Sequence, residues 1–333
     1  MSKKVKDTEY LYLSAMLKAR EADMLTRDKL ERMLAAGGFS DAAKLLQESG
    51  WEDLSGLNSA GVDKALSARR EEIFAELERS APEGEIVELF RVKYDYHNAK
   101  AIVKGEGVGV SAAHILNRSG RIDPAKLEAA FQEDDWRYIP EKLGAAMAEA
   151  KSVLARTDNP QAADFVLDKA YFAQLLELAG KVTSDYLGAY VRTLIDSANI
   201  RTVVRCFRMG KDPDFMRQAL IDGGNIPMDF AVRGTVTADE LNELFGSTVF
   251  REAAALGGAA LEGGAMTRFE KACDNAVNAF LDKARRTGFG SEVAVGYLAA
   301  EESAITAVRM ILTGLLSGID PERLKERLRD TYV

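Results

Sequence analysis

The side chains best suited to acid–base or metal chemistry are rare in this sequence and lie apart. His97 and His114 are its two histidines, and neither has a cysteine or second histidine at the spacing of a metal-binding pair. A histidine that acts as a general base also needs a nucleophile and an orienting partner, and no such set is evident. Cys206 and Cys273 lie in apolar surroundings, which favours buried thiols in a reducing compartment over a disulfide framework or a reactive nucleophile. The sequence therefore predicts no catalytic centre, no metal site and no cofactor.

The glycine-rich residues 105–109 have some likeness to a phosphate-binding loop. They lack the G-x-x-x-x-G-K-[ST] spacing, and no strand pattern precedes them. We interpret this segment as a break between helices.

A second group of candidates is polar without being catalytic. Asn98 and Asn199 lie in helical sequence, where asparagine is unfavourable unless its amide finds a partner. The other members of the group are Lys100, Lys104, Arg201, Arg205, Glu301, Glu302 and Arg309. One interpretation is an internal network that joins the acids Asp95, Asp196, Glu301 and Glu302 to the bases Lys104, Arg205 and Arg309. The alternative is that some of the basic groups line a socket and contact acidic groups of a partner protein.

The elements that must position these residues are helices. Apolar residues recur at i, i+3 and i+4 along nearly the whole chain, and good helix formers dominate. Only 7 prolines occur in 333 residues, and 47% of the residues are hydrophobic. Such a composition is typical of a globular protein with a substantial core. The predicted fold class is all-α.

Charge and hydropathy exclude several classes of protein. The formal net charge is -8, whereas a nucleic-acid binder needs a basic face. The basic pairs Arg69-Arg70 and Arg285-Arg286 sit among acids, and we interpret them as solvated helix faces. No run approaches the roughly 18 apolar residues of a spanning helix, and residues 1–10 do not resemble a signal peptide. We expect no nucleic-acid partner and no direct membrane span.

Three segments recur with a common period of 101 to 105 residues. The motif V/L/F-D/E-K-A occurs at residues 62–65, 167–170 and 269–272. A longer helical motif occurs at residues 95–104 and 196–205 and again, more loosely, at residues 300–309, where Ser303 stands at the Asn position and Ile305 at the first basic position. The pattern L-x-x-x-G-x-I occurs at residues 116–122 and 220–226. Shared periods of this kind indicate repeated structural units.

The chain ends suggest how the repeats are arranged. Residues 124–131 and 238–245 share one helical pattern, and residues 27–34 near the N-terminus have the same form. We therefore expect the N-terminal segment to complete the C-terminal repeat, which would close three units into a ring or funnel. The predicted division is residues 1–55 (N-terminal helices), 56–155 (repeat 1), 156–262 (repeat 2) and 263–333 (repeat 3).

These motifs resemble the C-subunit family (also called the d or AC39 family) of V-type and A-type rotary ATPases. The likeness covers essentially the whole chain, and the order and spacing of the motifs make it specific. The segments that carry it are residues 10–12, 19–21, 94–100, 196–205, 297–314 and 320–324. The third copy departs from the motif at Ser303 and Ile305.

The resemblance implies a funnel-shaped protein with three similar helical subdomains in a pseudo-threefold arrangement. It implies a non-catalytic rotor component that links the central shaft, formed by the D and F subunits, to the proteolipid (c/K/L) ring of the membrane sector. Such a component transmits torque coupled to proton or sodium transport, and it is cytoplasmic and peripheral to the membrane as part of the ATPase complex. Two alternatives stay open, a helical-repeat scaffold that binds peptides in a concave groove, and an α-helical enzyme.

Overall fold

The computed structural model describes residues 5–233 and 236–333. The described residues form helices, turns and loops and contain no strand, which confirms the all-α class. In chain order the helices are α1 (Leu11–Arg20), α2 (Arg27–Leu34), α3 (Phe39–Gln47), α4 (Ser59–Ser80), α5 (Glu85–Val108), α6 (Pro124–Glu133), α7 (Glu141–Thr157), α8 (Pro160–Lys181), α9 (Asp185–Arg208), α10 (Pro213–Ala219), α11 (Ala238–Phe245), α12 (Arg251–Leu261), α13 (Met266–Phe280), α14 (Asp282–Arg286), α15 (Ser291–Leu316) and α16 (Pro321–Arg327). Short 3-10 helices occupy Asp7–Tyr10, Glu21–Asp23 and Ala231–Arg233.

The described helices fall into two compact units. The first unit contains the chain up to Glu83 together with Thr237–Val333, and the second is Gly84–Val236. In the first unit α15 packs against α1 and α4, and α12 packs against α11 and α13. In the second unit α8 packs against α5, α7 and α9. The predicted repeat boundaries stay a prediction.

Three long helices, α5, α9 and α15, carry the polar motif of the repeats and end in the same way. Each is followed within two residues by a glycine with positive φ, Gly109 at 68°, Gly210 at 63° and Gly318 at 70°. The N–H of the residue after the glycine donates to the carbonyl oxygen five residues earlier, at 2.9 Å for Val110, 3.0 Å for Lys211 and 2.9 Å for Ile319. This is the Schellman motif, which satisfies the last carbonyls of a helix and needs a residue without Cβ strain at the left-handed position.

A shorter helix recurs with a capped start and two buried apolar residues. In α2, α6 and α11 the N-cap side chain of Thr26, Asp123 or Thr237 accepts a hydrogen bond from a first-turn N–H. The residues four and eight positions after the cap are buried, namely Leu30 and Leu34, Leu127 and Phe131, and Leu241 and Phe245. The sequence likeness of these segments therefore reflects a shared cap and a shared apolar face. A helix that we did not predict, α16, has the same form, with Asp320 as its cap.

Both ends of the chain contribute to one core in the first unit. Leu30 of α2 lies in the same buried cluster as Ile311 of α15 and Leu324 of α16. Arg27 Nη1 donates to the carbonyl oxygen of Leu328 at 3.1 Å. An N-terminal segment that completes the third repeat requires such packing, and the threefold arrangement itself stays a prediction.

Among residues 5–233 and 236–333, no helix combines the length and the apolar character that crossing a membrane requires.

Candidate functional site

Asn98 fixes the loop that follows α5. Its side chain is fully buried, and Nδ2 donates to the carbonyl oxygen of Asn117 at 2.7 Å. The N–H of Asn117 donates back to Asn98 Oδ1 at 2.7 Å. The amide thus finds the partner that an asparagine inside a helix needs, and it pairs both backbone groups of one loop residue.

Asp95 lies one turn before Asn98 and holds the same loop at a second point. Its Oδ1 accepts from the N–H groups of Arg121 at 2.9 Å and Ile122 at 3.2 Å. Its Oδ2 accepts from Arg121 Nε at 2.6 Å, and Arg121 Nη1 also pairs with Glu88. We call Asp95 and Asn98, with the loop residues they hold, the first clamp.

The glycine of the L-x-x-x-G-x-I pattern is required by this clamp. A Cβ atom on Gly120 would lie 2.4 Å from Asp95 Oδ1, well inside contact distance. The carboxylate cannot move aside cheaply, because it is buried and accepts two backbone hydrogen bonds. The loop pattern and the helical motif, which recur separately in the sequence, are therefore two halves of one contact.

The second repeat contains the same arrangement, which we call the second clamp. Asn199 Nδ2 donates to the carbonyl oxygen of Ile221 at 2.8 Å, and the N–H of Ile221 donates to Asn199 Oδ1 at 2.9 Å. Asp196 Oδ1 accepts from the N–H of Ile226 at 3.1 Å. A Cβ atom on Gly224 would lie 2.4 Å from Asp196 Oδ1. Both clamps thus lie in the second unit and use equivalent residues.

The clamps differ in the charge of one partner. Arg121 of the first clamp corresponds in position to Asn225 of the second, whose Nδ2 donates to Asp196 Oδ2 at 2.7 Å. Burial raises the pKa of both carboxyl groups because it penalises the ionised form. The Arg121 guanidinium opposes this rise in the pKa of Asp95. For the pKa of Asp196 the main opposition comes from the neutral Asn225 amide and the N–H of Ile226.

The third copy of the motif does not form a clamp of this type. At the motif positions of the clamp Asp and Asn, α15 has Ala300 and Ser303. The adjacent acids Glu301 and Glu302 contact α4 instead. Arg70 Nε lies 2.5 Å from Glu302 Oε1, and the Arg70 side chain is 3% exposed. Here the motif joins helix to helix through charge.

The arginine pair of α4 corrects one interpretation of the sequence. Arg69 Nη2 lies 3.2 Å from Glu301 Oε2, and the Arg69 guanidinium lies 3.9 Å from the centre of the Trp51 ring. Arg70 is buried. The pair Arg69-Arg70 is therefore not a solvated face, because each arginine reaches an acid on α15.

Lys100 and Lys104 of α5 pair with acids of α8, which differs from the predicted network. Lys104 Nζ lies 2.7 Å from Asp164 Oδ2, and Lys100 pairs with Asp168. We predicted a network of Lys104 with the acids of the repeated helical motif, and this pairing is wrong. Asp168 belongs to the V/L/F-D/E-K-A motif, so the ion pair connects two of the repeated segments.

Arg309 and the two predicted arginines of α9, Arg201 and Arg205, have different surroundings. Arg309 Nε lies 2.7 Å from Asp63 Oδ1, again an acid of the V/L/F-D/E-K-A motif and not one of the acids predicted for it. Within α9, Arg201 Nε donates to the carbonyl oxygen of Ser197 at 3.0 Å. Arg205 is exposed near the end of α9.

In the part of the chain that the structure describes, neither the cysteines nor the side chains able to bind a metal form a reactive group. Cys206 and Cys273 are free thiols and both are buried, as predicted, and burial raises the pKa of Cys206. In the described ranges, no group of three His, Cys, Asp or Glu side chains lies close enough to hold a metal ion. The polar groups that the motifs bring together hold loops and helices in place, which is a mechanical role.

Comparison with known proteins adds an independent result. A family model described as "ATP synthase (C/AC39) subunit" matches residues 13–327. The C subunit of the V-type sodium ATPase of Enterococcus hirae is 24% identical over 338 residues, which cover 97% of this chain and 99% of the relative. The C subunit of the A-type ATP synthase of Methanocaldococcus jannaschii is 22% identical over 346 residues, covering 96% of this chain and 86% of the relative. The C subunit of the V-type ATP synthase of Thermus thermophilus is 24% identical over 213 residues, covering 62% of this chain and 66% of the relative.

Proposed function

The chain belongs to the ATP synthase (C/AC39) subunit family, and we propose that it is the central-stalk component that links the D–F shaft to the membrane proteolipid ring. The family is an accessory, non-catalytic part of a rotary ATPase. In the proposed role the chain turns with its neighbours and transmits torque between the ATPase head and the ring. ATP chemistry and ion passage take place in other subunits.

One observation carries this proposal, the family match from residue 13 to residue 327. The match includes both clamps, the Arg69–Glu301 and Arg70–Glu302 pairs and the Schellman-capped ends of α5, α9 and α15. A scaffold that only shared helical composition would not need this order of motifs.

The internal contacts suit a part that carries torque. A torque coupler must resist bending, and tightly packed helical cores are only slightly compressible. The clamps tie the loops after α5 and α9 to their helices by buried hydrogen bonds, and the Arg70–Glu302 pair ties α4 to α15. Loops fixed at two points lose the freedom that ordinary surface loops have.

The complex would place this chain on the cytoplasmic side, peripheral to the membrane. The coupled ion is either a proton or a sodium ion. One relative is named as part of a V-type sodium ATPase, whereas the names of the A-type and V-type ATP synthase relatives specify no ion.

A binding experiment with separate neighbours tests the proposal. The tagged full chain is immobilised, and the purified proteolipid ring in detergent and the purified D–F complex are applied in turn. We expect both to bind. A general peptide-binding scaffold would retain neither, and that result would remove the proposal. Hydrolysis of ATP by the isolated chain would contradict a non-catalytic role.

A further inference from the structure

An irregular segment follows the core of the first unit. Leu328 is the last residue of the buried cluster to which α2, α15 and α16 contribute. The five residues after it, 329–333, read R-D-T-Y-V and contain no helix or turn, and we call them the strap. Tyr332 of the strap is nevertheless buried, with 7% exposure. Backbone groups outside a helix need partners elsewhere, and the partners of the strap show what holds it.

Two asparagines of α13 pair with the backbone of one strap residue. The N–H of Asp330 donates to Asn275 Oδ1 at 3.0 Å, and Asn278 Nδ2 donates to the carbonyl oxygen of Asp330 at 2.6 Å. Residues three apart lie on the same face of a helix, so the two amides act together. They satisfy both backbone groups of one residue, as Asn98 does for Asn117 in the first clamp.

Charged groups hold the strap beside this backbone contact. Arg329 Nε lies 2.9 Å from Asp274 Oδ2 on α13. Arg27 Nη1 of α2 donates to the carbonyl oxygen of Arg329 at 3.2 Å. The strap therefore contacts α2, from the N-terminal part of the first unit, and α13, from its C-terminal part.

Tyr332 anchors the other end of the strap. A Cβ atom on Gly296 of α15 would lie 2.8 Å from the Tyr332 hydroxyl oxygen, so the helix leaves room for the ring where it lacks a side chain. The hydroxyl lies 3.4 Å from Glu21 Oε1, and Arg285 Nη1 of α14 donates to the carbonyl oxygen of Tyr332 at 3.4 Å. A buried tyrosine whose hydroxyl reaches a polar group is a common anchor in recognition sites.

Together these contacts have the composition of a peptide-binding site. Side-chain amides pair with the backbone of the ligand, an acid meets its basic residue, and a recess receives its aromatic side chain. In such sites the main-chain hydrogen bonds supply affinity and the side-chain positions supply specificity. The buried cluster that includes Leu328 contains no residue of the strap, so this core does not need the strap in order to form.

We propose that α13, α14 and α15 form a binding site for a short non-helical peptide, that the strap is its resident ligand, and that the strap leaves and rebinds while the helices of the first unit stay folded. The third copy of the helical motif has no Asp–Asn clamp, and the strap gives this part of the chain a hold on α2 and α13 through different residues. The inference does not depend on the proposed function.

Hydrogen exchange of the full chain tests whether the strap separates from a folded unit. The N–H of Asp330 is expected to exchange about a hundredfold faster than the helical N–H of Cys273, because local opening costs less than global unfolding. Low concentrations of urea should leave the Asp330 rate unchanged, since a small opening exposes little surface. If the two N–H groups exchange at the same rate, the strap opens only when the whole unit unfolds, and the proposal is wrong.

A synthetic peptide of residues 329–333, labelled at its amino end, tests recognition. The full chain with Tyr332→Ala keeps the site but weakens its resident ligand. We expect this variant to bind the free peptide at least about tenfold more tightly than the wild type does, because the tethered wild-type strap competes at an effective concentration on the order of millimolar. A peptide with alanine in place of the tyrosine is the matched control and should not bind.

A second set of variants tests the asparagine pair. Asn275→Ala/Asn278→Ala, added to Tyr332→Ala, is expected to weaken binding of the peptide by about tenfold or more, because two hydrogen bonds to its backbone are lost. The control Asn242→Ala, added to the same variant, changes an exposed asparagine on α11 of the same unit and should leave binding unchanged.

Each outcome decides the inference. A peptide that binds no variant, or that binds equally well without its tyrosine, would overturn it. Equal losses for the asparagine pair and for Asn242→Ala would also contradict it. Circular dichroism measures the helix content of every variant. If Tyr332→Ala loses helix content, the strap is part of the folding core and the proposal is wrong, while the proposed function is unaffected.

Discussion

Asp95 and Asp196 fix equivalent loops in the same unit with different electrostatics. Both are buried carboxylates that accept backbone N–H groups from a loop held at a second point by an asparagine. Asp95 also pairs with the Arg121 guanidinium, whereas Asp196 accepts from the Asn225 amide. The comparison shows that the repeat keeps the geometry of the clamp while the charge of one partner is free to change. What the fold needs is a buried acceptor, and the ion pair is an addition.

The largest expected effect separates the two acids. Asp95→Ala removes the acceptor of two N–H groups and one of the two acidic partners of the mostly buried Arg121 guanidinium, so we expect a loss of about 3 kcal/mol in the free energy of unfolding. Asp196→Ala leaves only neutral donors unpaired and should cost about 2 kcal/mol. Urea denaturation of both variants measures the difference. Equal losses would mean that the ion pair with Arg121 has no special role.

The asparagines should behave alike. Asn98→Ala and Asn199→Ala each break two hydrogen bonds to one loop residue, with donor–acceptor distances between 2.7 and 2.9 Å. Each change is therefore expected to cost about 2 kcal/mol. Hydrogen exchange at the N–H of Asn117 and Ile221 reports the loss locally. If the two variants lose clearly different free energies of unfolding, the clamps are not equivalent even in their uncharged asparagine contacts.

Replacing the clamp glycines, Gly120 and Gly224, tests whether an added Cβ atom stabilises or destabilises the protein. Replacing a glycine by alanine at an unstrained site usually stabilises a protein slightly, because the unfolded chain loses freedom. Gly120→Ala and Gly224→Ala should instead destabilise it by about 1–2 kcal/mol, since each new Cβ atom would displace a buried carboxylate. Gly180→Ala is the control, because it lies in a helix of the same unit where an added Cβ atom would meet open space. Thermal unfolding of the three variants measures the sign, and stabilisation by the first two changes would contradict the close approach.

The smallest expected effect concerns pH. The folded-state pKa of Asp196 lies above its ordinary value, so its contribution is most favourable when the carboxyl is protonated and is lost as pH rises through the folded-state pKa. Relative to Asp196→Asn, the wild type should therefore gain stability as the pH falls below neutrality. Paired denaturation curves at several pH values measure this trend. The opposite slope would indicate a carboxylate stabilised in its ionised form.

The sequence predicts the parts of the clamps better than their assembly. The period of the motifs identified α5, α9 and α15 as equivalent, and the unfavourable position of Asn98 and Asn199 indicated that each amide has a partner. The partner itself lies about twenty residues further along the chain, and helical periodicity carries no information on how a loop returns to its helix. The L-x-x-x-G-x-I pattern was the available signal, because a glycine recurring at one position suggests a close approach.

Ion pairs between helices were harder to predict. Arg69 and Arg70 lie among acids in sequence, which favoured the interpretation of a solvated helix face. Their partners on α15 are 232 residues away, and packing of α4 on α15 decides the choice. The third copy, with Ser303 in place of asparagine, gave the correct indication that this region differs from the clamps.

The central claim is that this chain joins the shaft to the ring, and reconstitution tests it most directly. The proteolipid ring in detergent, the D–F complex and the full chain are mixed, and the mass of the assembly is measured by light scattering during size-exclusion chromatography. We predict that ring and shaft elute as one particle only when the chain is present. Ring and shaft that stay separate in its presence, or that associate equally well without it, would contradict the account.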